Sequence, residues 1–176
     1  MLKKLSTVLF LCSVLIFGLT SCSKPSVPAA ELKHYPLDTL DGVLKPNAVE
    51  VDKTTTSDSN GSFKIVAKEP VTVELYDVGD IDVENATLTY QAKVKTEGVE
   101  GQVYLEMWCY FPEKGQFFSR GLQFPLSGTT DWTTLETNFY LKKGENPDNV
   151  RLNVVINGKG TVWVDDIHLL QGPLKE

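Results

Sequence analysis

Tyr104, Glu106, Trp108 and Tyr110 recur at every second position, interleaved with Val103, Leu105, Met107, Cys109 and Phe111. Successive side chains of an extended chain point to opposite faces. This stretch therefore has one apolar face and one face carrying three aromatic rings and a carboxylate. Aromatic planes stack on the apolar C–H faces of sugars, and carboxylate, amide and guanidinium groups bond the hydroxyl rim. Gln91, Arg120, Gln123 and Asn153 on neighbouring segments are further polar candidates for the same face. A second reading stays open: if Phe117-Phe118-Ser119-Arg120-Gly121-Leu122 folds over the row, the aromatics form a minor core instead.

Other chemistry is sparse. There is no Gly-x-Ser-x-Gly, His-Glu-x-x-His, Walker glycine loop or Cys-x-x-Cys. A glycosidase needs two facing carboxylates; Glu106 is one candidate and has no evident partner. Cys109, mid-strand among apolar neighbours, reads as a small buried hydrophobe. His34 and His168 read as surface residues, and Trp132 and Trp163 as packing residues. Asp165 and Asp166 are adjacent, and a bulge there would bury one carboxylate among backbone N–H groups and expose the other.

The elements that must position these residues read as strands. Phe63, Ile65 and Ala67 alternate with polar residues, as do Val71, Val73 and Leu75. Ala86–Val94 and Val103–Phe111 are longer alternating runs. Trp132, Phe139 and Leu141 mark another, followed by Val150–Ile156 and Val162–Leu170. Weak strand signals occur at 40–44 and 49–51. Period-two patterning buries one face of each strand. Glu97-Gly98 with Gly101, Lys143-Gly144 and Asn157-Gly158-Lys159-Gly160 suit tight reversals, the last reading as a hairpin. No amphipathic helix longer than a turn or two and no internal repeat is found. Short alternating strands separated by turns predict an all-β fold, an antiparallel β-sandwich, over 36–172, with a short tail at 173–176.

The N-terminus is of another kind. Lys3 and Lys4 precede an apolar run from Leu5 to Leu19, which is of signal-peptide length and short for a membrane span of roughly 20 residues. It ends in Leu19-Thr20-Ser21-Cys22, which resembles the bacterial lipobox. The resemblance implies a signal peptide over 1–21, cleavage before Cys22 and diacylglyceryl modification of its thiol. It also implies a cell-envelope location facing away from the cytoplasm. With Ser23 rather than aspartate next, this would be the outer membrane in a Gram-negative cell and the plasma membrane otherwise. Residues 22–35, with Pro25 and Pro28 among small residues, read as a flexible tether. Cleavage leaves 155 residues and moves the formal charge from −6 to −8. That acidity argues against nucleic acid and against electrostatic docking on anionic lipid. Cys109 is then the one cysteine in the folded part, so the fold rests on packing rather than an internal disulfide.

Ala86–Leu170 resembles the galactose-binding-like, or carbohydrate-binding-module-like, jelly roll. The resemblance rests on Ala86–Val94, on Val103–Trp108, and on Thr130-Asp131-Trp132 opening a strand. It also rests on Asn146-Pro147-Asp148-Asn149-Val150-Arg151-Leu152 and on the ending Gly160–Leu169 with its Asp165-Asp166 pair. It implies a non-catalytic module for a glycan or cell-envelope polymer. An adaptor lipoprotein that contacts another envelope protein through the same aromatics is the alternative, and a hydrolase built on Glu106 a third reading. No cofactor is expected other than the structural calcium often found in modules of this fold. Here Asp165 or Asp166 would ligate it, with Glu31, Asp38, Asp41 or Glu50 supplying further oxygens.

Overall fold

The computed structural model describes residues 29–58 and 60–174. Cys22 and residues 22–28 of the expected tether lie outside them. Eight strands follow in order: β1 Ala30–Tyr35, β2 Glu50–Asp52, β3 Ser62–Ala67, β4 Val71–Gly79, β5 Ala86–Phe111, β6 Gly115–Arg120, β7 Leu126–Leu141 and β8 Asn149–Pro173. Among the described residues a single 3₁₀ turn, Pro46–Ala48, is the only helical element. All pairing is antiparallel.

Two strands organise the molecule. β5 has 26 residues and β8 has 25, and they pair along their whole length from Ala86↔Pro173 to Tyr110↔Asn149. A straight strand of that length would span about 85 Å. β5 does not: Phe139 lies opposite Leu88, yet its ring is 6.2 Å from that of Phe111 at the far end of the same strand. Each long strand therefore turns a corner, β5 at 98–101 and β8 at 157–160, and its two arms lie in facing layers. One layer holds the 86–97 arm of β5, the 160–173 arm of β8, β7, β3, β2 and β1. The other holds the 103–111 arm of β5, the 149–156 arm of β8, β4 and β6. The result is an antiparallel β-sandwich of jelly-roll type.

The alternating apolar residues of both layers meet between them. Leu88, Val94, Val103, Leu105, Met107, Leu152, Val154, Ile156, Val164 and Leu169 are fully buried. Each such side chain contributes about 1.5–3 kcal/mol by transfer from water. Cys109 belongs to this core, and burial pushes its thiol up to about 12, which leaves it without nucleophilic character.

The structure departs from the sequence reading at several points of the fold. Asn157–Gly160 is a corner rather than a hairpin: its flanks pair with different strands, not with each other. Residues 30–35, expected as part of the tether, form β1 instead, because Leu32 and Tyr35 pack on the core and β1 pairs with β8. Residues 40–44 form a turn rather than a strand, so of the two weak signals only the second becomes β2.

Candidate functional site

The outer face of the second layer carries the aromatic row. Val103, Leu105, Met107, Cys109 and Phe111 point into the core, so Tyr104, Glu106, Trp108 and Tyr110 point out. β6 pairs beside them, placing Arg120 opposite Glu106, Phe118 opposite Trp108 and Gln116 opposite Tyr110. β8 places Asn153 opposite Glu106 and Arg151 opposite Trp108 on the other side. Residues 115–120 thus extend the sheet. They do not cover the row, and the loop-covered reading is corrected: Tyr110 is 40% and Phe118 50% exposed.

These strands enclose a cleft of about 370 Å³ lined by Glu106, Trp108, Tyr110, Arg120, Arg151 and Asn153, among others. At its floor lies Glu106, 4% exposed. Its Oε1 accepts hydrogen bonds from Trp108 Nε1 at 2.7 Å and Asn153 Nδ2 at 3.0 Å, and its Oε2 accepts one from Arg120 Nε at 2.6 Å. The Arg120 guanidinium also lies 4.4 Å from the Phe118 ring centroid, and the Trp108 and Phe118 rings are 5.0 Å apart. The carboxylate therefore fixes the plane of the tryptophan and the direction of the arginine together. Asn153 Oδ1 is buried with no hydrogen-bond partner among the described residues. A buried acceptor of this kind is uncommon in a native fold, and here it belongs to a residue that lines the cleft.

Burial alone would push Glu106 towards its neutral form. The bonds from Trp108, Asn153 and Arg120 outweigh it and hold the carboxyl below the usual glutamate range. A lowered folded pKa contributes stability that is present above the unfolded value, about 4.3, and is lost as pH falls through the folded value. Glu106→Gln is expected to lower the urea midpoint at pH 7, and its gap to wild type is expected to narrow steadily as pH is lowered below about 4. A gap that does not narrow would show that the charge is not what Glu106 supplies.

The other candidates divide. Tyr104 is buried at the end of the row near Arg120. Gln123 lies in the turn after β6, in a smaller neighbouring depression that shares Arg120. Gln91 lies on the other layer, where it donates to Glu136 at 2.9 Å, so it is not part of this cleft. Glu74 and Arg151 were missed by the sequence reading and line the cleft, joined by an ion pair of 3.4 Å. Arg151 is also bidentate to Asp77. Both occupy outward positions of alternating strands, which is the one signal that marks them.

Asp165 and Asp166 sit at a bulge, where two residues of β8 oppose one of β5. Asp165 is buried and accepts the backbone N–H groups of Ser57 and Asp166, both at 2.8 Å. Burial raises its pKa against those bonds. Asp166 has φ +50 and turns outward to His34 and His168. Burial opposes its charge, but the two imidazoles prevail and lower its pKa. In this arrangement Asp165 is bonded to backbone donors and Asp166 faces imidazole nitrogen. Of the expected calcium co-ligands, Asp38 accepts from Lys53 Nζ at 2.7 Å through its backbone carbonyl while its carboxylate Oδ1 is buried with no hydrogen-bond partner among the described residues, and Glu31 is bonded to His168. Trp163 is buried with its Nε1 on Asp52, and Trp132 is half-buried.

No family model matches the chain, and no curated protein does. Solved structures do. A Clostridium thermocellum endo-1,4-β-xylanase 10B fragment, a family 22 carbohydrate-binding module joined to a catalytic module and complexed with xylohexaose, aligns with TM-score 0.59 at 11% identity. The alignment covers 83% of this chain and 29% of that one, so this chain spans less than a third of its length. The family 22 xylan-binding domain of a Paenibacillus barcinonensis xylanase aligns with TM-score 0.58 at 10% identity, over 84% of this chain and 97% of that domain. A family 16 carbohydrate-binding module gives TM-score 0.54 at 15% identity, over 74% of this chain and 91% of that one. At these identities the likeness is one of fold: the chain has the jelly-roll β-sandwich that these carbohydrate-binding modules share.

Proposed function

We propose that this chain is a non-catalytic glycan-binding module held at the outer side of a bacterial membrane by lipid on Cys22. The observation that carries the reading is the cleft: Trp108 and Tyr110 on one strand beside the polar groups of Glu106, Arg120 and Asn153, with Phe118 next to Trp108. Aromatic faces beside fixed donors and acceptors match a sugar's apolar face and hydroxyl rim. The fold shared with xylan-binding and other carbohydrate-binding modules supports the same reading. Binding without chemistry fits the carboxylates. Glu106 is held ionised by three donors, and Glu74 is paired with Arg151 and, at 3.6 Å, with Lys45. A glycosidase acid needs a raised pKa instead.

Affinity electrophoresis of the full chain in detergent, through gels containing xylan, mixed-linkage glucan, galactan or solubilised peptidoglycan, tests the reading. Retardation in at least one gel is expected, and free migration in all would remove it. The anchor has its own test. Cys22→Ser is expected to abolish metabolic labelling with palmitate and to shift the protein from the membrane to the soluble fraction. Unchanged labelling would place the lipid elsewhere.

A protein-contact role draws on a different observation, the exposed Phe117, Phe124 and Tyr140 at the β6–β7 side. Photo-crosslinking from position 117 in intact cells tests it, and one reproducible partner would favour it.

A further inference from the structure

We propose that His34, Asp166 and His168 form a surface site for a divalent transition metal ion such as Zn²⁺, with Glu31 as the group that orients His168. The site lies on the first layer, away from the cleft, and does not depend on the glycan reading.

The fold assembles it from two strands. His34 of β1 is the cross-strand partner of His168 of β8. Asp166 is two residues before His168, and the bulge, with Asp166 at φ +50, swings its carboxylate onto the histidine face. His34 Nε2 and His168 Nε2 each lie 2.9 Å from the same atom, Asp166 Oδ1. The ligand atoms of the three residues all lie within 4.8 Å of one another. Nitrogen ligands of a tetrahedral zinc ion are about 3.4 Å apart, at Zn–N distances of about 2.0–2.1 Å. To share one ion the side chains must shift and the two parallel rings must tilt so that both Nε2 lone pairs converge, and they have the freedom: His34 is 40%, Asp166 35% and His168 25% exposed.

The neighbouring contacts add an orienting group. His168 Nδ1 lies 2.7 Å from Glu31 Oε2 while its Nε2 faces Asp166. The His34 and His168 rings are stacked, with centroids 4.4 Å apart and planes 3° from parallel, so both Nε2 atoms are presented on one side to Asp166. A metal ion on both Nε2 atoms and on Asp166 would take the place of these two contacts. His168 then keeps its Nδ1–H for Glu31, the carboxylate–histidine–metal relay that fixes the tautomer of a ligating imidazole.

The donors select the metal. Two imidazoles and one carboxylate suit zinc and its neighbours, whereas calcium and magnesium want oxygen throughout. Three protein ligands leave a fourth position for water or for a group from another molecule. Lys93, the nearby cation on β5, donates to Thr134 rather than into the cluster. Binding would also clip β1 to β8 and so stabilise the folded form by mass action.

The full chain, purified in detergent without a histidine tag and stripped with a chelator, is titrated with ZnCl₂ against a fluorescent zinc indicator. Saturable uptake of about one Zn²⁺ per chain is expected. His34→Gln and His168→Gln should each weaken it at least about tenfold, and Glu31→Gln about tenfold through the lost orientation of His168. Excess Ca²⁺ should not displace the zinc. Co²⁺ in its place should give d–d bands without a thiolate-to-metal band, since Cys109 is buried in the core. Circular dichroism confirms folding, and either histidine variant alone suffices if the other misfolds. Absence of saturable uptake by wild type, wild-type affinity in a folded histidine variant, or a thiolate band would each overturn the site.

Discussion

Trp108→Ala is expected to cut affinity for the bound polysaccharide roughly thirtyfold, about 2 kcal/mol, while the fold stays intact. The size follows from what the ring does. Trp108 stands mid-row between Glu106 and Tyr110, half-buried, with one neighbour ring 5.0 Å away and its Nε1 bonded to Glu106 at 2.7 Å. Its plane is therefore set before any ligand arrives, so little ordering entropy is lost on binding. Alanine removes the stacking face and one of the three donors to Glu106. Asn153 and Arg120 remain on that carboxylate, which is why the fold should survive. Trp108→Phe separates the two roles. It keeps an aromatic face and loses only the N–H, so a loss of about threefold is expected. Affinity electrophoresis and calorimetry on both variants, with near-ultraviolet circular dichroism as the folding check, measure this. A folded Trp108→Ala protein that binds like wild type would mean the row is not the platform.

The row itself was legible because period two reports, residue by residue, what points in and what points out. It does not report which of two outer faces a strand presents. Gln91 and Glu106 are both outward residues of β5, yet the corner at 98–101 puts them on opposite sides of the sandwich. Alternation alone therefore places Gln91 with a cleft it does not reach. β6 was hard to see for a related reason. Phe117 and Phe118 are adjacent and both about half exposed, as an edge strand permits, so the alternation that marks a buried strand is missing. β1 was lost to composition: two prolines precede it, and only Leu32 and Tyr35 reach the core. With β1 read as tether, His34 had no neighbour, and the pairing that brings it to His168 is a matter of register that no local pattern encodes.

The corner is also where the second large effect is expected. Gly101→Ala should destabilise the protein by at least about 3 kcal/mol, whereas Gly98→Ala, three residues away, should cost only about 1–2 kcal/mol. Both glycines have positive φ, but +60 at Gly98 lies in the left-handed region that other residues can enter, whereas +127 at Gly101 lies outside it, so the backbone already ranks them this way. The surroundings widen the gap. A Cβ on Gly98 meets nothing within 4 Å. A Cβ on Gly101 runs into the Asn157 carbonyl and comes within 2.9 Å of the Gly158 Cα. These are main-chain atoms of the β8 corner and cannot rotate away as a side chain would. Gly158 is hemmed in reciprocally, its own Cβ position filled by the Glu100 carbonyl. The two corners thus pack backbone against backbone, and that contact sets the angle at which the cleft-bearing arm leaves the first layer. Urea denaturation of the two alanine variants measures the difference in midpoint. If they are equally stable, the corners do not pack this closely. If Gly101→Ala alone falls, its folded fraction should also bind polysaccharide less well, because the arm that carries Glu106 and Trp108 starts from the displaced corner.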